Sequence, residues 1–103
     1  MSNTKTTSSK LDLQHICIVS NRIVREGEPI GMAYKEKPDF DEDSGWRILA
    51  GAESQKYLDQ EENLEIWTLE ELLAKEKLFM DYLEMPVGTE LVSSPEGGIE
   101  VVK

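Results

Sequence analysis

Cationic side chains are scarce in this sequence: 11 Lys and Arg stand against 21 Asp and Glu, a net charge of −10 with the single His neutral. A nucleic-acid phosphate backbone is gripped by clustered Lys and Arg, so no nucleic-acid partner is expected. There is one cysteine, Cys17, and one histidine, His15. A lone cysteine leaves no internal disulfide, and one Cys with one His falls short of a zinc ligand set. No apolar run approaches the roughly 18 residues of a membrane-crossing helix, so no membrane partner is expected either. Residues 1–9 are polar (MSNTKTTSS) and lack the apolar stretch of a secretory signal, which with the cysteine usage reads as a cytoplasmic protein. Gly27 and Gly97-Gly98 lack the lysine and helix context of a phosphate-binding loop. Aromatics make up only 7%. That leaves little material for a cleft able to desolvate a catalytic acid, so the chain is read as non-enzymatic, with no cofactor.

What remains is 103 residues, 39% of them hydrophobic, enough for one domain with a modest core. The Ser/Thr-rich segment 1–10 reads as a disordered tail, with a single domain over 11–103. Ile16-Cys17-Ile18-Val19 is a short β-branched run and predicts a buried strand. Asn21 to Arg25 and Ile30 to Tyr34, joined through Glu26-Gly27-Glu28-Pro29, predict a hairpin. Trp46 to Ala50 and the alternating Leu64-Glu65-Ile66-Trp67 predict two more strands, with a short helix near 53–59 between them. The clearest helix covers 69–83, with Thr68 as N-cap and Glu71 completing a capping box. Thr89 to Val92 and Ile99 to Val102 close the chain as a hairpin around Ser94-Pro95-Glu96-Gly97-Gly98. The expected fold class is therefore α+β: a small, mostly antiparallel sheet of about five or six strands with one main helix.

The densest chemistry lies in Asp39-Phe40-Asp41-Glu42-Asp43-Ser44-Gly45. Asp39, Asp41 and Asp43 alternate as at the start of a calcium-binding loop, but such a loop needs glycine sixth and glutamate twelfth. Counting from Asp39 gives Ser44 and Ala50, and counting from Asp41 gives Trp46 at the sixth place. The pattern fails, and no metal ligand or catalytic residue is assigned. Arg47 is read either as the polar face of a strand or as the partner of a carboxylate from this loop, pinning it to the sheet. Trp46 is either core filling or, with Arg47, an interface anchor. Cys17 reads as a small core hydrophobe, although His15 two residues away shares its strand face.

The acidity is regional. Residues 1–35 hold five basic and three acidic side chains, whereas residues 36–103 hold six and eighteen, a net of −12. The order Ser20-Asn21-Arg22-Ile23-Val24, Gly27, Pro29-Ile30-Gly31, Tyr34, Pro38-Asp39, Asp43-Ser44-Gly45-Trp46-Arg47, Gly51 and Tyr57-Leu58-Asp59 resembles the bacterial family of domain of unknown function two-one-eight-five. That family is grouped with the immunity proteins of polymorphic toxin systems, as immunity family thirty-three. The resemblance runs from about Val19 to Trp67, with the helix and the Pro86-Val87-Gly88 turn consistent, and Asp-Ser-Gly-Trp-Arg is its most specific part. It implies a small cytosolic protein that binds and blocks a toxin domain. The expectation is a non-catalytic, acidic binding protein whose partner is a protein, a basic toxin domain. Its contact residues would be Asp39, Asp41, Glu42, Asp43, Trp46, Arg47, Glu61, Glu62 and Glu65. Two alternatives stay open: a housekeeping binding module with no toxin partner, and a metal-binding or enzymatic protein using the 39–47 loop.

Overall fold

Ile16–Ser20 form strand β1, with Cys17 and Val19 fully buried. The computed structural model describes residues 12–102, so the tail expected over 1–10 lies outside the described residues. The hairpin expected next does not form. Ser20 instead caps a one-turn helix α1 over Asn21–Val24, its side chain accepting from the Arg22 N–H. Ser is a strong N-cap, and this turn buries Ile23, so capping and burial together override the β preference of Ile23-Val24.

Strand β2 is Met32–Lys35 and strand β3 is Asp43–Leu49, which starts three residues earlier than Trp46 and so takes in Asp43. Helix α2 over Gln55–Leu58 is capped by Ser54 and falls within the stretch expected to be helical. After a 3-10 turn at Glu61–Asn63 comes strand β4, Leu64–Thr68. Helix α3, Leu69–Lys75, opens on Thr68 with the full capping box expected from Glu71.

The helix expected to reach residue 83 is divided. Glu76 adopts extended geometry (φ −147°, ψ 90°), and a 3-10 helix follows over Lys77–Asp81. Glu76 lies on the apolar stripe defined by Leu69, Leu72 and Leu83, where a continuous helix would bury its carboxylate. At the break that carboxylate instead accepts from the Leu78 N–H and caps the next turn. Strands β5, Glu90–Ser93, and β6, Ile99–Val101, form the expected terminal hairpin.

The sheet order is β4-β1-β3-β2-β5-β6, antiparallel throughout except for the β1–β3 pair. This is the α+β class, with six strands. The core lies on one face, where Cys17, Val19, Ala33, Trp46, Ile48 and Leu91 meet Ile23, Leu69, Leu72, Phe79 and Leu83. Each such large side chain stabilises the fold by about 1.5–3 kcal/mol relative to exposure. Strand alternation turns Ile18, Met32, Tyr34, Arg47, Leu49 and Ile66 to the opposite face. That face is only partly sheltered, by Gln55 and Leu58 of α2. At the close approach of β2 to the end of β3, a Cβ on Gly31 would stand 1.9 Å from the Ala50 carbonyl oxygen, so only glycine fits.

Candidate functional site

The acidic loop is tied down by its own last residue. Asp43 is 2% exposed, and both its carboxylate oxygens are held by Arg47, Nη1 to Oδ1 and Nη2 to Oδ2, each at 2.9 Å. The Gly45 N–H donates to Oδ1 at 2.8 Å and the Asp39 N–H to Oδ2 at 2.9 Å. Residues four apart on a regular strand are separated by about 13 Å, too far for this pairing to be relaxed. The strand is not regular here: Ile16 aligns with Asp43 and Ile18 with Arg47, so β3 takes four steps where β1 takes two. Gly45 makes that possible at φ +90°, a backbone region few other residues enter.

Burial alone would raise the Asp43 carboxyl. The hydrogen bond from Arg47, those from the Asp39 and Gly45 amides, and the charge of Arg47 outweigh it and hold the group down to about 2. The guanidinium is in turn held protonated above its ordinary value, chiefly by its bond to Asp43. Its Nε donates to Glu36 Oε2 at 2.7 Å, and Asp39 Oδ2 lies 3.8 Å from Nη2. Arg47 is therefore the partner of a carboxylate from the acidic loop, the second of the two roles expected for it. Glu36, which also holds it, carried no sequence signal beyond its place before Lys37-Pro38.

The rest of Asp-Ser-Gly-Trp-Arg is equally structural. Ser44 Oγ accepts from the Trp46 N–H. Trp46 is fully buried, packs edge-on against Phe79 with ring centroids 6.4 Å apart, and donates from Nε1 to the Leu83 carbonyl at 3.1 Å. Lys35 stands 5.6 Å from the centre of the Trp46 ring and donates from Nζ to the carbonyls of Leu83 and Met85. Of the two readings of Trp46, core filling describes its position. Cys17 is likewise a core residue: burial pushes its thiol up to about 12, and the His15 ring is engaged with the Asp12 backbone. Asp39 and Asp43 both face Arg47 Nη2, so their charge is directed to the guanidinium. Among the described residues, no three His, Cys, Asp or Glu groups cluster as metal ligands.

The candidate contacts therefore separate. Asp39, Asp41 and Glu42 are exposed, as are Glu61 and Glu62, whereas Asp43, Trp46 and Arg47 are buried. Glu65 is half-buried and paired with Arg25. A cavity of about 210 Å³ on the partly sheltered face is lined by Asp39, Arg47, Tyr34, Ile18 and Leu64 among others. A second, of about 310 Å³, is lined by Ile18, Leu64, Ile66, Glu61 and Glu65. Ile18 and Leu64 border both, so Asp39 and Glu61, more than twenty residues apart in sequence, stand beside adjoining cavities. Ile66, 66% exposed, lines the second. Sequence reasoning took the carboxylates from the charge pattern but missed the apolar floor of Ile18, Leu64 and Ile66; the alternation of Leu64 and Ile66 along β4 was the available signal.

A small α+β protein with an acid-flanked, half-apolar sheet face has the anatomy of a binding protein. Residues 17–103 match the immunity protein Imm33 domain, and the chain belongs to that family. Membership implies a protein partner, a toxin. No curated protein and no solved structure matches the chain.

Proposed function

We propose that this chain is an immunity protein that neutralises a toxin domain by binding and occluding it in the cytoplasm, without catalysing any reaction. The observation that carries the reading is that Asp39 and Glu61 line two neighbouring cavities whose common floor is Ile18 and Leu64. Apolar centres ringed by charge make specific interfaces, the floor giving affinity and the ring giving orientation and association rate. The proposed contacts are Asp39, Asp41, Glu42, Glu61 and Glu62, with Ile18, Leu64 and Ile66 beneath them. Asp43 and Arg47 pin the acidic loop beside that surface, and Trp46 anchors the same strand in the core on the other face. The net of −12 over residues 36–103 favours a basic face on the toxin.

The test is co-expression with candidate toxin domains taken from the products of neighbouring genes. Growth rescue by the wild-type chain, lost when Asp41 and Glu61 are both changed to Lys, is the expected result. Death of cells carrying folded wild-type protein would overturn the reading.

A further inference from the structure

We infer that the outer edge of β4 is a strand-addition site, taking an extended segment of the partner in which basic and apolar side chains alternate. This rests on the reading that the chain binds a protein.

The pairing phase of β4 leaves its central residue open. β4 runs antiparallel to β1 in unbroken register from Ile16–Thr68 to Ser20–Leu64. Just beyond it, the Leu69 N–H donates to the His15 carbonyl at 2.8 Å. Antiparallel ladders alternate, so Cys17–Trp67 and Val19–Glu65 are the hydrogen-bonded pairs, and the N–H and C=O of Ile66 point away from the sheet. The neighbouring donors are already used: the Leu64 N–H goes to the Glu61 carbonyl and the Thr68 N–H to the Glu71 carboxylate. Ile66 thus presents one donor and one acceptor at the midpoint of the edge. Among the described residues, no strand pairs with it.

Such edges are ordinarily blunted by lysine, proline, a bulge or shortness. The other edge strand of this sheet, β6, has three residues. β4 has five, Leu-Glu-Ile-Trp-Thr, with no Lys, no Pro and no irregularity against β1. Its exposed side chain, Ile66, borders the cavity of about 310 Å³ that Glu61 and Glu65 flank. An added strand would gain main-chain hydrogen bonds at Ile66, an apolar socket beside it, and the exposed Glu61 carboxylate for its cations. A second copy of this chain is a poor occupant: it would bring two charges of −10 together.

The probe is a seven-residue peptide of alternating lysine and valine, titrated into the isotope-labelled full chain, with a glutamate–valine peptide as control. The expected result is amide shifts centred on 64–68 and hydrogen exchange at Ile66 slowed about ten-fold or more, with no response to the acidic peptide. Ile66→Pro removes the outward N–H together with the apolar side chain and fixes the local backbone, and should abolish the response. Ile66→Lys keeps the backbone and should weaken it about ten-fold, which decides the matter if the proline variant does not fold. Shifts centred on β6 or on 39–42, an equal response to both peptides, or no response at millimolar peptide would overturn the inference. So would dimerisation of the free chain that Ile66→Lys abolishes. If Ile66→Lys still neutralises the toxin like wild type, the edge is refuted and the immunity reading stands. If wild type fails to neutralise, it is the underlying reading that falls.

Discussion

Arg47 and Asp43, four residues apart on one strand, are joined by two parallel hydrogen bonds of 2.9 Å because Gly45 lies between them at φ +90°. The residues that most sharply mark the sequence are therefore the ones holding the acidic loop against the sheet. Removing one member of a buried ion pair strands the other, at a cost of about 3–5 kcal/mol. Asp43→Asn should fall near the lower end, because Glu36 still holds the guanidinium. The double change Asp43→Asn with Arg47→Met should cost less than the sum of its two single changes, since the second finds the pair already broken. Urea unfolding of wild type, both single variants and the double measures this; strict additivity would contradict it.

The same pair sets an acid dependence. Asp43 titrates at about 2 in the folded chain against an ordinary 3.8. A carboxyl lowered on folding contributes stability above its unfolded value and loses it as pH falls towards the folded one. The contribution, on the order of 2 kcal/mol, should be complete at pH 5, mostly lost by pH 2 and gone near pH 1. The stability gap between wild type and Asp43→Asn should narrow by most of that amount between pH 5 and pH 2. Denaturation at pH 5, 4, 3 and 2 checks it, and a gap that stays constant would refute the assignment.

Gly45 also has no room for a side chain: a Cβ there would stand 2.3 Å from the Glu36 carbonyl oxygen. Gly45→Ala combines that clash with a strained backbone region, itself about 1–3 kcal/mol. The expected loss is above 2 kcal/mol, whereas Gly97→Ala, with nothing near its Cβ, should cost only the backbone strain of its φ of +93°. Thermal unfolding of the two variants separates clash from strain.

Much of this architecture was readable from short patterns. Ile16-Cys17-Ile18-Val19, the Thr68–Glu71 capping box and the terminal hairpin are local features, and each formed where its pattern stood. The misreadings arose where local preference met a tertiary demand. Ile23-Val24 prefer strand geometry, but capping by Ser20 and burial of Ile23 made them a helical turn. Asp43 belongs to a polar run, and its burial depends on a guanidinium that reaches it only across a bulge no periodicity reports. The exposed acids were legible from charge alone. That Asp39 and Glu61 border adjoining cavities was not, because it depends on which face of the sheet the helices cover.

Cys17 provides a probe of that cover. Its thiol is fully buried and pushed up to about 12, chiefly by desolvation, so almost none is thiolate at pH 8. Iodoacetamide should label the native chain far more slowly than the urea-unfolded chain, by about a hundred-fold or more. Asp43→Asn should speed native labelling in proportion to its loss of stability, since modification then proceeds through opening. Rapid labelling of the folded wild type, followed by mass spectrometry, would contradict this placement of β1.

The exposed carboxylates should act on rate rather than on folding. Asp41→Lys and Glu61→Lys lie on the surface and should each change stability by less than about 0.5 kcal/mol. If the partner's face is basic, each reversal removes attraction and adds repulsion, slowing association several-fold at low salt. Screening lengths fall from about 10 Å at 0.1 M salt to about 3 Å at 1 M, so the difference from wild type should close as salt rises. Ile66→Lys should behave differently, because it removes apolar contact and strand-edge complementarity as well as adding charge. Its defect should persist at high salt and reside mainly in the dissociation rate. Stopped-flow association and dissociation with the purified toxin domain tests both expectations. Identical salt profiles for Glu61→Lys and Ile66→Lys would mean that the acidic rim and the β4 edge do not play separate parts.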